Sequence, residues 1–286
     1  MKKIKLALLF VCLIAFCFVL YKLFLRYEYQ KTISSKINAS DLVDASCKSI
    51  NPDKIVYVEN LSLDNFTATG MTYDTKSNSF WIADHGTNDF DKLKLIELND
   101  KLDSIVNIVE IENYTNSNSN NLQGITYDKS NDSFWLALGS QIQEINRNGS
   151  VINTLKVDKF SDYQFNGICY DESNDTLWVL CFNKYLINVD KKGNVLKIYE
   201  SNFADQDMIC MNNGLIYMTV GADYLGENNY CIAFNPDSEE YAVKYQLLNS
   251  YAVEGICFLD NSIYVVNDGM FHNAKIPKTY ISIYND

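Results

Sequence analysis

Five phrases of the chain share one register: TGMTYD, QGITYD, NGICYD, QDMICM and VEGICF. Their anchors are Gly70, Gly124, Gly167, Met208 and Gly255, spaced by 54, 43, 41 and 47 residues. A repeat of this length constrains the fold more than any single motif. Each copy must be one supersecondary unit that buries its apolar face against its neighbours. A second apolar strand follows each anchor, centred on Trp81, Trp135, Trp178, Tyr217 or Tyr264. All three tryptophans of the chain therefore occupy one repeat position. A third strand follows (LKLIEL, IQEIN, YLINVD, YCIAFN, YISIYN) and closes on Asn or Asp, as turns prefer. Four copies add a fourth alternating strand: IVNIVEI, VINTLKV, NVLKIYE and YAVKYQL.

The period is 2 throughout, with Asn, Asp and Gly punctuation, so the strands are antiparallel. Four such strands per unit predict an all-β fold, a β-propeller of five four-stranded blades over residues 54–286. A sixth blade would have to hide in the first interval, where no sixth anchor stands. The last copy ends after its third strand. Residues 54–61, KIVYVENL, form an alternating strand with no unit of its own. They are predicted to complete the last blade and close the ring, which hides exposed strand edges.

Ahead of the repeats, residues 6–21 are an uninterrupted apolar run with three lysines before it. Residues 1–26 are expected to be either one transmembrane helix, since residues 4–25 can cross a bilayer, or a signal peptide removed on export. The lysines place the N-terminus in the cytoplasm. The propeller would then stand on the extracytoplasmic side of the cell membrane, or be secreted if the segment is cleaved. Residues 27–53 are polar and read as a stalk. The net charge is -12, yet the first 26 residues hold five basic groups and no acid, so the remaining 260 carry -17. An acidic domain excludes nucleic acid as a partner, because phosphate binding needs a basic surface. The expected partners are the membrane and an extracellular ligand or envelope component, with the propeller monomeric.

Strand order sorts the candidate chemistry by face. Loops leading into each first strand share one end of the ring, the top, with loops between second and third strands. The residues before the anchors are Thr69, Gln123, Asn166, Asp207 and Glu254, and all bear oxygen. Such a ring at the channel mouth suits a hard cation such as Ca²⁺, with Glu254, Asp207, Asn166 and Gln123 as metal ligands. The loops DHGTNDFDK, GADYLGENN and DGMFHNAKIPKT are long, and both histidines of the chain, His85 and His272, lie in them. His85 and His272 are the candidate catalytic bases. Asp84, Asp223, Asn267 and Asp268 are candidate ligand-binding residues, and Asp89 and Glu227 lie in the same loops. No G-x-S-x-G, H-E-x-x-H or Walker loop is present. Cys169, Cys210 and Cys257 share a repeat position on separate blades and are expected to be buried free thiols.

The run GITYD…SFWLA…IQEINRNGSVINTL resembles NHL-type repeats and the bacterial SdiA-regulated propellers, and is more distantly similar to the senescence-marker and gluconolactonase propellers. The resemblance implies envelope association. From gluconolactonase-type propellers it also implies a divalent metal held in the channel by Glu, Asn and Asp. Glu254–Gly255 matches their E-G motif, with Asn166 and Asp207 as counterparts by repeat position. Two functions are compatible with these residues. One is a membrane-anchored binding module pinned by a cation. The other is a metal-dependent hydrolase of a lactone or phosphoester acting at the top face.

Overall fold

In the computed structural model, the described residues are Leu20 and 36–286, less 62, 64, 65, 89, 116, 118, 119, 183 and 286. Two short strands come first, β1 (Lys48–Ile50) and β2 (Lys54–Tyr57). Blade one is β3 (Ala68–Asp74), β4 (Ser79–Asp84), β5 (Lys92–Asn99) and β6 (Ile105–Thr115). Blade two is β7 (Leu122–Asp128), β8 (Ser133–Leu138), β9 (Gln141–Ile145) and β10 (Val151–Leu155). Blade three is β11 (Phe165–Asp171), β12 (Thr176–Cys181), β13 (Tyr185–Asp190) and β14 (Val195–Glu200). Blade four is β15 (Gln206–Asn212), β16 (Leu215–Val220), β17 (Tyr230–Asn235) and β18 (Glu240–Leu247). Blade five has β19 (Val253–Leu259), β20 (Ser262–Asp268) and β21 (Thr279–Asn285). Its fourth strand is β2, paired antiparallel to β21 with Lys54 opposite Ile283 and Tyr57 opposite Tyr280. The five blades and the closing strand are thus as the repeats predict. The closing strand is shorter than residues 54–61, because Val58–Leu61 turns into a 3-10 helix.

The innermost strands β3, β7, β11, β15 and β19 stand side by side around the axis, with β19 against β3. The anchors explain how they fit. A Cβ on Gly124 would lie 2.9 Å from Asn166 O, and one on Gly255 would lie 2.7 Å from Met71 N. Only glycine lets neighbouring backbones approach this closely. Blade four has Met208 instead. There the Thr219 hydroxyl bridges the gap, accepting from Met208 N–H at 3.1 Å and donating to Glu254 O at 3.4 Å.

The hydrophobic core is divided among the five blade interfaces. Trp81 packs among blade-two residues such as Ile125 and Phe134. Trp135 packs against Phe165 and Ile168 of blade three, and Trp178 against Ile216 and Phe234 of blade four. Tyr217 packs against Ile256 and Ile263 of blade five, and Tyr264 lies with Phe80 and Ile82 of blade one. The shared aromatic position is therefore the wedge that each blade inserts into the next. The six described cysteines are free thiols. Burial pushes the Cys169, Cys210 and Cys257 thiols up, which leaves them poor nucleophiles.

Asn38–Asp286 forms one compact unit. Part of the expected stalk belongs to this unit: β1 pairs parallel to β18 as a fifth strand of blade four, and Ala39 is buried in the cluster there. Among the described residues no helix is long and apolar enough to cross a membrane. The expected anchor, residues 1–26, lies outside them apart from Leu20.

Candidate functional site

A cavity of about 310 Å³ opens at the top of the ring. Inner-strand starts contribute Thr69, Gln123, Asp207 and Glu254. The three long loops contribute His85, Tyr224 and His272. This end of the ring therefore gathers both histidines, as strand order predicts.

The chemistry is concentrated where blades four and five meet. His272 Nε2 lies 3.0 Å from Glu254 Oε1, and its ring stacks on Tyr224 at 4.5 Å and 11°. Loop β20–β21 is held in place from both sides. Ala274 N–H donates to Gly269 O, and Lys275 N–H donates to Tyr224 O at 2.8 Å. The Glu254 and Asp207 carboxyls also interact with each other. Burial, and then each group's acidic neighbour, push both carboxyls well above the usual range: Glu254 acts on Asp207, and Asp268 on Glu254. Two buried acids this close titrate as a pair, and the pair retains a shared proton. The result is a continuous line, Asp207–Glu254–His272.

Two more carboxyls are buried nearby: Asp268 lines the cavity, whereas Asp84 lies outside its lining, next to His85 in the chain. Asp84 accepts from Thr67 and Gly86 N–H at 2.9 and 2.8 Å, and burial raises its pKa to about 6. Asp268 accepts from the Thr279 hydroxyl at 3.1 Å and is likewise raised by burial to about 6. Burial also lowers the His85 pKa, with His272 adding to the effect. Several buried polar atoms here have no hydrogen-bond partner in the protein: Thr67 Oγ1, His85 Nδ1, Asn166 Oδ1, Asp207 Oδ1 and Asp268 Oδ2. Orphaned buried groups cost stability, and a polar site accounts for them.

Because Asp268 resists ionisation in the folded state, it favours folding below about pH 4, and that advantage fades as pH rises toward about 6. Asp268→Asn is expected to be matched to the parent near pH 4 and to gain on it through pH 6, by on the order of 3 kcal/mol at most. Urea unfolding of both proteins across that range measures the difference.

Not every expected residue joins the cavity. Asn166 stands at the next ring position but turns its Nδ2 to Gln206 O at 3.3 Å. Asn267 is buried, and its Nδ2 bonds Ser250 Oγ and Val265 O, inside blade five. Asp223 ties its own loop by accepting from Gly226 and Asn228 N–H. Asp89 lies outside the described residues. Tyr224 and Phe271 were not singled out by the sequence, although both sit on loops that were. As calcium ligands, Asp207 and Asn166 offer oxygens without partners and Glu254 is adjacent, so the donor types fit the ion. Among the described residues no three or more His, Cys, Asp or Glu stand together as a metal site, and two of the four expected ligands, Asn166 and Gln123, are amides.

No family model matches this chain, and no curated protein does. Solved structures do. The glutaminyl cyclase of Myxococcus xanthus is similar with a TM-score of 0.56 at 10% identity, over 84% of this chain and 100% of that one. A luciferin-regenerating enzyme is similar with a TM-score of 0.53 at 9% identity, over 82% of this chain and 95% of that one. At such identities the likeness is one of fold, and the class is a β-propeller. What the cavity does has to be argued from its side chains.

Proposed function

We propose that the top cavity is an acid–base catalytic site for a small polar substrate. The observation that carries this is the Asp207–Glu254–His272 line at the floor of a cavity of about 310 Å³. His272 accepts a proton from an attacking water or amine, and Glu254 holds the imidazole in place. The Asp207–Glu254 pair keeps a proton available for a leaving group. Hydrolysis of a lactone or phosphoester fits this set, and needs no side-chain nucleophile. A divalent cation in the neck would be held by Asp207, Glu254 and Asn166, and would polarise a substrate oxygen. We place the propeller outside the cell membrane, tethered by residues 1–26, and among relatives of the SdiA-regulated and NHL-type propellers.

A second reading, a binding module, is favoured by one observation. All three long loops carry exposed apolar side chains: Phe90, Leu225, Met270 and Phe271. A turnover survey separates the two. The chain is assayed against lactones and phosphoesters, with EDTA and with calcium. Turnover that falls at least tenfold in His272→Ala supports catalysis. Turnover untouched by His272→Ala removes the relay from it.

A further inference from the structure

At the end of the ring opposite this cavity, a cation twice bridges consecutive blades. Arg147, after β9, pairs with Asp74 of blade one at 2.5 Å and with Asp132 of its own blade at 2.7 Å. Its guanidinium carbon lies 5.5 Å from the Tyr127 ring centroid. Lys191, after β13, pairs with Asp128 of blade two at 2.7 Å and with Asp175 of its own blade. Its ammonium lies 4.6 Å from the Tyr170 ring centroid. The receptor is the same in both cases. A buried Asp ends the inner strand of one blade, and a tyrosine and a turn Asp come from the next.

The third interface keeps half of this device. Asp171 ends β11 and is buried. It accepts hydrogen bonds from Ser173 and Asn174 N–H, Asn174 Nδ2 and Trp178 Nε1. Blade four, however, has Pro236 where Arg147 and Lys191 stand, and Met211 where the tyrosines stand. Its turn is shortened to Asn213–Gly214, with no counterpart of Asp132 or Asp175. Among the described residues no Lys or Arg is paired with Asp171. Elsewhere the two halves disappear together: β15 ends on Asn212 and β19 on Leu259, with no acid at that position. The small replacements leave a cavity of about 520 Å³. Asp171, Trp178, Met211, Pro236 and Asp237 line it, and Lys197 borders it from an exposed strand position.

We infer that this cavity binds an organic cation, a primary alkylammonium or alkylguanidinium ion, with its charged head against Asp171. A buried carboxylate without a counter-charge is costly, and a cation entering beside it relieves that cost. The fit is set by the molecule itself, since Asp74 and Asp128 each take such a head. Asp237 supplies a second carboxylate at the opening. The site is separate from the acid–base cavity and does not depend on its function.

Titration calorimetry of the full chain with n-butylammonium and n-butylguanidinium chloride tests this. Saturable binding is expected, weakened at least tenfold in Asp171→Asn. Pro236→Arg is expected to weaken it as much, because the chain then supplies its own cation, and to raise the melting temperature. Glu254→Gln, at the far end of the ring, is expected to leave it unchanged. Absence of saturable binding to the parent protein overturns the inference. So does binding that survives Pro236→Arg, or that is lost in Glu254→Gln, since either places the ligand elsewhere. If Asp171→Asn does not fold, the Pro236→Arg result decides.

Discussion

Glu254→Gln is expected to lower turnover by roughly 10²–10⁴-fold, the usual worth of a positioned acid or base, and at the same time to stabilise the fold at neutral pH. The two effects have one cause. Glu254 is buried against Asp207 and faces Asp268, so its carboxyl is held well above the usual range. In the unfolded chain it ionises near pH 4.3, with about that reference value. Folding is therefore favoured by this group below that pH, and the advantage is lost as pH rises toward the folded value. Glutamine keeps the shape and removes the titration. The variant should match its parent in acid and exceed it increasingly as pH rises. A residue kept only for packing would show the reverse, lower stability with turnover unchanged. Thermal melts from pH 4 to 8, together with turnover, distinguish the two. Sites that trade stability for chemistry commonly behave in the first way.

Removing residues 54–57 is expected to cost on the order of 5 kcal/mol, at the extreme of local changes. For a chain of this size that is about 10–20 °C in melting temperature. β2 is the whole outer edge of blade five. It pairs with β21 over four residues, and Asp53 secures the start of β2 against the end of β21, donating N–H to Ile283 O at 2.8 Å and accepting from Asn285 N–H at 2.9 Å. Val56 packs into the interface cluster between blades five and one. Without the strand, β21 presents Tyr280, Ile281 and Ile283 on an open edge, the arrangement that invites strand pairing between molecules. Size-exclusion chromatography should show aggregation alongside the lower melt. A soluble monomer with the parent's melting temperature would mean that the ring is closed by the inner strands alone.

The architecture was legible because a propeller writes its plan into spacing. One glycine per blade marks the closest approach of inner strands, and one aromatic per blade fills the next interface. Both recur at fixed offsets, so neither needed tertiary information. The cavity was legible in part for the same reason. Asp207 and Glu254 precede consecutive anchors, and strand order put both histidines on their face. What spacing could not tell is how polar side chains are used once placed. Asn267 and Asp223 have suitable chemistry, yet Asn267 spends its Nδ2 within its blade and Asp223 ties its own turn. Asx side chains do this readily in turns. Nor could spacing reveal that Tyr224 stacks on His272, because two loops of different blades meet there. The cation bridges at the opposite end are a different case. Their residues lie at constant repeat offsets, and Pro236 stands out only once Arg147 and Lys191 have been seen in place.

The proton shared by Asp207 and Glu254 is the centre of this account, and infrared difference spectroscopy measures it without a substrate. Spectra of the parent protein minus Glu254→Gln, and minus Asp207→Asn, would be recorded at pH 7. The parent is expected to show a protonated carboxyl stretch that either substitution removes and that calcium, if it binds there, bleaches. Spectra with only ionised carboxylate bands from both residues would contradict it.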